Sequence, residues 1–112
     1  MRELSDRVAV VTGGGGGIGR AIALELARAG SHVVLADVDD VRMAAVVREI
    51  EALGRRGVAV VTDVREQAAL ETLLERTLSA LGSCHVAINN AGVFHGAALL
   101  DAPYEQWRRV ID

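Results

Sequence analysis

The sequence has no lysine, one cysteine, one proline and three aromatic residues among 112. Without lysine, any chemistry that needs an ammonium side chain has no group for it in this chain. All twelve cationic side chains are arginines spread along the chain, and the net charge is −3. No basic field is available to attract nucleic acid or an anionic membrane. Cys84 is the lone cysteine, which excludes an internal disulfide and points to a reducing, cytoplasmic setting. It opens an apolar run and is expected to be a buried, inert thiol. No run approaches the roughly 20 apolar residues needed to span a bilayer, and the amino end carries no apolar stretch of signal-peptide length. The few aromatics leave an aliphatic core. One domain of this size buries roughly 60–70% of its unfolded surface.

What is present is a strand–helix unit repeated at intervals of about 25 residues, the period of βα units. Strands are expected at Arg7–Thr12, His32–Asp37, Val58–Thr62 and His85–Asn89. Each is a continuous aliphatic or β-branched run, the pattern of strands covered on both faces of a parallel sheet. Helices are expected at Gly17–Ala29, Asp40–Leu53 and Arg65–Leu81. Their apolar stripes run through Ile18, Ile22 and Leu26, then Met43, Val47 and Ile50, then Leu70, Leu74, Leu78 and Leu81. Gly30, Gly54 and Gly82 each follow a last apolar residue, where a left-handed cap is wanted. Asp101 and Pro103 mark the start of a fourth helix. Right-handed crossovers give an α/β fold: a partial Rossmann-type doubly wound parallel sheet, strand order 3-2-1-4, with helices on both faces. A nucleotide belongs in the crevice between strands one and four, at their carboxyl ends.

Gly13 to Gly17 are five consecutive glycines between the first strand and the first helix. Amides bare of side chains can approach a diphosphate, and the helix start adds unpaired N–H groups with partial positive charge. Ordering five glycines costs conformational entropy, which a plain turn would not repay. The register stays open: a Gly-x-Gly-x-x-Gly spacing fits Gly14, Gly16 and Gly19, and a wider one fits Gly13, Gly17 and Gly19. Asp37 ends the second strand, placed to accept both hydroxyls of an adenosine ribose and to repel a 2′-phosphate. Val38 follows where an arginine would suit the phosphorylated cofactor, and Gly16 likewise offers no cation. NAD is expected over NADP. Asn89 and Asn90 close the apolar fourth strand and need satisfied hydrogen bonds.

Thr12-Gly13-x-x-x-Gly17-Ile18-Gly19 with Asn89-Asn90-Ala91-Gly92 resembles the short-chain dehydrogenase/reductase family. Asp63-Val64 after the third strand, and Trp107 with Val110 in the fourth helix, are similar to that family's pattern too, so the likeness runs from Arg7 to Asp112. The wider glycine register is the one the family uses. The resemblance implies that Gly13, Gly16, Gly17, Ile18 and Gly19 line the diphosphate, with Asp37 and Val38 at the ribose. It implies that Asp63 accepts from the adenine amino group beside the Val64 amide. Asn90, Ala91 and Gly92 would flank the cofactor, and Asn89 would tie the sheet together.

The family's proton relay, a tyrosine with a lysine four residues on and a serine, finds no match. Tyr104 is followed four positions later by Arg108, and a guanidinium fork does not replace a point charge. The serines match no catalytic position. His32, His85 and His95 have no metal-ligand spacing, though His95 could face a substrate mouth. No catalytic or metal-binding residue is assigned. The resemblance implies that the catalytic residues fall beyond Asp112, so residues 1–112 are expected to form one NAD-binding domain truncated within its fourth helix. Hydride transfer between NAD and an alcohol or carbonyl substrate would be the reaction of the intact form. The open edge of strand four is an expected site of homo-oligomer or edge-strand association. Two alternatives are a non-catalytic NAD-binding module that assembles with a partner, and a methyltransferase-like nucleotide domain.

Overall fold

A computed structural model describes residues 4–90. Four strands and three helices alternate along them: β1 (Val8–Thr12), α1 (Gly17–Arg28), β2 (His32–Asp37), α2 (Asp40–Ala52), β3 (Gly57–Val61), α3 (Gln67–Leu81) and β4 (Val86–Asn89). Every strand pair is parallel and the order is β3-β2-β1-β4. The register puts Thr12 opposite both Ala36 and Asn89, and Asp37 opposite Val61, so the carboxyl ends finish at one level. The expected fourth helix, with Trp107 and Val110, lies outside the described residues.

Alternation of Cβ direction sends successive strand residues to opposite faces. Val11, Val33 and Leu35 meet α1 and α2 through Ala23, Leu24, Ala27, Met43, Val46 and Ile50. Val10, Val34, Ala36 and Val60 meet α3 through Leu70, Leu73 and Leu74 on the other face. All five residues of β1 are buried, which explains its unbroken apolar sequence. The crossover therefore changes face between β3 and β4, and the crevice falls between β1 and β4 as the alternation implies.

The expected α1 stripe is corrected. Ile18 is 71% exposed, and Ile22 and Leu26 are only partly buried. The buried stripe is Gly19, Ala23 and Ala27, with Leu24. Small residues at this i, i+4, i+8 spacing let the helix lie close against the sheet, where bulkier chains would hold it off. In α2, Val46 joins Met43 and Ile50 inside and Val47 is partly buried. In α3, Leu73 and Thr77 join Leu70 and Leu74, while Leu78 is exposed and Leu81 partly buried. That helix begins at Gln67, two residues later than expected. Arg65 donates its amide to the Asp63 carboxylate at 3.0 Å and Glu66 donates to the Asp63 carbonyl at 3.0 Å, so a turn consumes these residues first. Gly30, Gly54 and Gly82 take positive φ, as helix-ending glycines do.

Cys84 is 2% exposed, in the cluster beneath α3. Burial pushes its thiol up to about 11, against a weaker opposing pull from the Val86 backbone. An acid whose pKa is raised in the folded state keeps its proton there while the unfolded chain ionises. Stability is therefore untouched below the ordinary thiol value near 9 and falls as pH rises from there towards 11. At pH 8 the native thiol should alkylate with iodoacetamide about 100-fold more slowly than the urea-unfolded chain. Equal rates would show a thiol open to solvent.

Candidate functional site

The loop from Thr12 to Gly19 separates into a packed part and an open part. Gly14, Gly15 and Gly19 are buried, whereas Gly17 and Ile18 face solvent. A Cβ on Gly19 would lie 2.0 Å from the Gly13 carbonyl oxygen and 2.7 Å from its carbon, both main-chain atoms. A Cβ on Gly14 would meet Leu35 Cδ2 at 2.6 Å. A Cβ on Gly17 would meet nothing within 4 Å. Gly13 itself has φ of 69°, left-handed backbone that suits glycine. Glycine is thus required by φ at Gly13 and by close packing at Gly14 and Gly19, while Gly17 meets no such demand within the chain, so packing alone does not choose between the two registers. In the alternative register, Gly14 answers to the packing of Leu35.

The open part is the amino-terminal turn of α1. Its N-cap is Gly16, with no side-chain hydrogen bond, and no acidic residue stands in the first turn. By contrast, α2 is capped by the Asp39 side chain, which accepts from the Arg42 amide, and carries Asp40 in its first turn. A helix start that is uncapped, free of acidic side chains and open at Gly17 and Ile18 presents N–H donors to whatever approaches. An anion fits there and no side chain competes with it.

Asp37 reaches this loop from β2. Its Oδ2 accepts from the Gly15 amide at 3.1 Å, and its Oδ1 accepts from the Val38 amide at 2.7 Å and from the Asp39 amide at 3.4 Å. The carboxylate is thus held by main chain, half-buried and adjacent to the glycines. Val38, 66% exposed, and Ile18 leave two large apolar side chains uncovered at this edge.

The Asp63 carboxylate, expected to face an adenine amino group, is bound by a neighbour. Arg65 Nε and Nη2 approach its two oxygens at 2.9 and 2.8 Å. Those bonds hold the Arg65 guanidinium above its ordinary value. A carboxylate has about four lone-pair sites, so a further donor can share the oxygens. Val64 turns its side chain partly into the core under α3.

Thr12 opens the glycine motif in the sequence, but its role shows only in the structure. Its Oγ1 accepts from the Asn90 amide at 2.9 Å and lies 3.2 Å from Asn89 Oδ1 and 3.4 Å from the Ile88 carbonyl. The hydroxyl joins the carboxyl ends of β1 and β4, and through it Asn89 performs the expected tie. A threonine ending an apolar strand carries no signal for this beyond its type. Gly15 was likewise unassigned, and its role depends on Asp37. Ala91, Gly92, His95, Tyr104 and Arg108 lie outside the described residues.

His32 opens β2 and accepts from the Arg56 amide at 2.9 Å, while His85, one residue before β4, accepts from the Val8 amide at 2.9 Å. Both sit at the end of the sheet away from the glycines. Among the described residues, no three His, Cys, Asp or Glu side chains gather as a metal site, and no helix is long and apolar enough to cross a membrane.

Comparison with known proteins agrees with this geometry. The short chain dehydrogenase family model matches residues 7–112. An uncharacterized oxidoreductase of Thermotoga maritima is 41% identical over 111 residues, covering 96% of this chain and 42% of that protein. A short chain dehydrogenase/reductase from Burkholderia phymatum, solved in complex with NAD, superposes with a TM-score of 0.84 at 32% identity, covering 99% of this chain and 46% of that one. A metagenomic short-chain oxidoreductase solved in complex with NADP gives a TM-score of 0.74 at 43% identity over 80% of this chain and 40% of that one. The chain thus spans less than half the length of these relatives. A methyltransferase-like domain is not favoured by any of them. Glycine loop, the acid ending β2 and strand order converge with these matches on one assignment: the chain belongs to the short-chain dehydrogenase/reductase family.

Proposed function

We propose that this chain holds NAD for an oxidoreductase acting on an alcohol or carbonyl compound. The observation that carries the reading is the α1 start, open at Gly17 beside a loop that is otherwise packed. The diphosphate rests on Gly13, Gly16, Gly17, Ile18 and Gly19. The ribose hydroxyls donate to Asp37, with Val38 alongside. Adenine lies by Asp63 and Val64, and Asn90, Ala91 and Gly92 flank the cofactor. NAD supplies a hydride acceptor. The chain's own groups bind and orient it: amides neutralise the diphosphate, and Asp37 selects an unphosphorylated ribose. With no lysine in 112 residues, the chain by itself supplies binding and not the family's tyrosine–lysine relay. A reducing cytoplasmic setting accords with its single buried cysteine.

Calorimetric titration of the purified protein tests this. NAD should bind saturably, and NADP at least about tenfold more weakly, because a phosphate beside a fixed carboxylate is a like-charge contact. Asp37→Ser should weaken NAD by about tenfold, since hydrogen bonds to a charged acceptor contribute roughly 1.5–3 kcal/mol. A folded protein that takes up no NAD would overturn the reading. Unchanged affinities after Asp37→Ser would remove Asp37 from the site.

A further inference from the structure

We propose that Arg42 is a second determinant of cofactor choice, a guanidinium positioned for a 2′-phosphate and held out of that role by Asp37 and Asp39. The inference rests on the dinucleotide reading above, and it concerns a residue whose charge that reading leaves unused. The point that a Cβ on Gly15 would occupy lies 3.1 Å from Asp37 Oδ2 and 3.1 Å from Arg42 Cβ. The side chain of Arg42 therefore leaves α2 directly beside the ribose-edge carboxylate and the glycine loop. Its base is fixed: the Arg42 amide donates to Asp39 Oδ1 at 3.0 Å, and Met43 donates to the Asp39 carbonyl at 3.1 Å. Nε stands 3.4 Å from Asp39 Oδ2, and the side chain is 67% exposed.

The charges beside Arg42 are Asp39 at the cap, its Oδ2 3.4 Å from Nε, and Asp37 at the end of β2, which shares the space next to Gly15 with the Arg42 Cβ. Two carboxylates beside one guanidinium leave this corner net negative, which rejects a phosphate and tolerates a ribose hydroxyl. Arginine near the ribose is the group that accommodates a 2′-phosphate in dinucleotide folds, and its planar fork suits phosphate oxygens. Sequence position hid it. Val38 and Gly16 offer no cation, so the chain reads as one without a phosphate receptor, although the first turn of α2 brings one to the same corner.

The test is the ratio of NADP to NAD dissociation constants, by calorimetry on the parent protein, Asp37→Ser, Asp37→Ser/Arg42→Ala and Asp37→Ser/Arg42→Lys. Removing Asp37 should move the ratio towards NADP by about tenfold or more. Removing Arg42 as well should return most of that shift, about tenfold. Lysine, which keeps the charge, should retain most of it. A merely structural effect of Arg42 would weaken both dinucleotides together and leave the ratio where it was. Equal ratios for Asp37→Ser and Asp37→Ser/Arg42→Ala would overturn the proposal, as would an Asp37→Ser protein with no gain for NADP. A folded parent that binds neither dinucleotide overturns the functional reading, and this inference falls with it. If the parent binds NAD and the Arg42 variants do not differ, the inference alone falls.

Discussion

Replacing Gly17 with alanine is expected to leave thermal unfolding unchanged or slightly raised and to remove most NAD binding. The two halves of that result have separate causes. Within the protein a methyl group on residue 17 meets no atom inside 4 Å, and the position is exposed at the first residue of α1. Alanine there reduces the freedom of the unfolded chain and favours the helix by roughly 0.4–1 kcal/mol. On the proposed reading, the same methyl group crowds the exposed turn where the diphosphate approaches the α1 amides. Pushing a diphosphate off those donors costs two or three charge-assisted bonds, so a loss of about 3 kcal/mol, or roughly 100-fold in Kd, is expected. Calorimetry and a melting curve on one preparation check both halves. A variant that melts like the parent and binds NAD as tightly would place the diphosphate somewhere else.

That separation of roles within five glycines was only partly legible in the sequence. Strand order and the two-faced sheet followed from unbroken apolar runs such as Val8–Thr12, because a strand buried on both faces leaves no polar alternation to misread. The place of Asp37 was legible for a similar reason: a carboxylate ending an apolar strand stands out, though its bond to the Gly15 amide does not. The inner face of α1 was not. A pattern weighted towards bulky side chains selects Ile18, Ile22 and Leu26, whereas the contact is made by Gly19, Ala23 and Ala27, which add little hydrophobicity and matter through their smallness. Thr12 could be read only as the start of the glycine motif, because its bonds reach Ile88, Asn89 and Asn90 across the sheet. The Arg65–Asp63 pair escaped because an i, i+2 contact belongs to a turn and no helical spacing announces it. Which dinucleotide is taken was the least legible. Relatives solved with NAD and with NADP share this fold, so the fold alone does not announce the choice.

Gly19→Ala is expected to have the opposite signature to Gly17→Ala: a large loss of stability that appears in the absence of any ligand. The new methyl carbon would have to share space with the Gly13 carbonyl, 2.0 Å from its oxygen and 3.0 Å from Gly14 Cα. None of these neighbours is a side chain that can rotate away. Gly13 is itself held, its amide donating to the Ala36 carbonyl at 2.7 Å and its left-handed φ set by the turn. The strain must therefore move α1 away from β1, and the close stripe through Ala23 and Ala27 opens with it. Overpacking against an unyielding neighbour costs about 3 kcal/mol or more. For a domain of this size that lowers Tm by roughly 12–24 °C. Circular dichroism melting without cofactor reads it directly. A melting temperature equal to the parent's would mean that the loop and helix are not in the contact seen here. Loss of NAD binding in this variant would carry no separate meaning, since the loop that positions the amides is the part that moves.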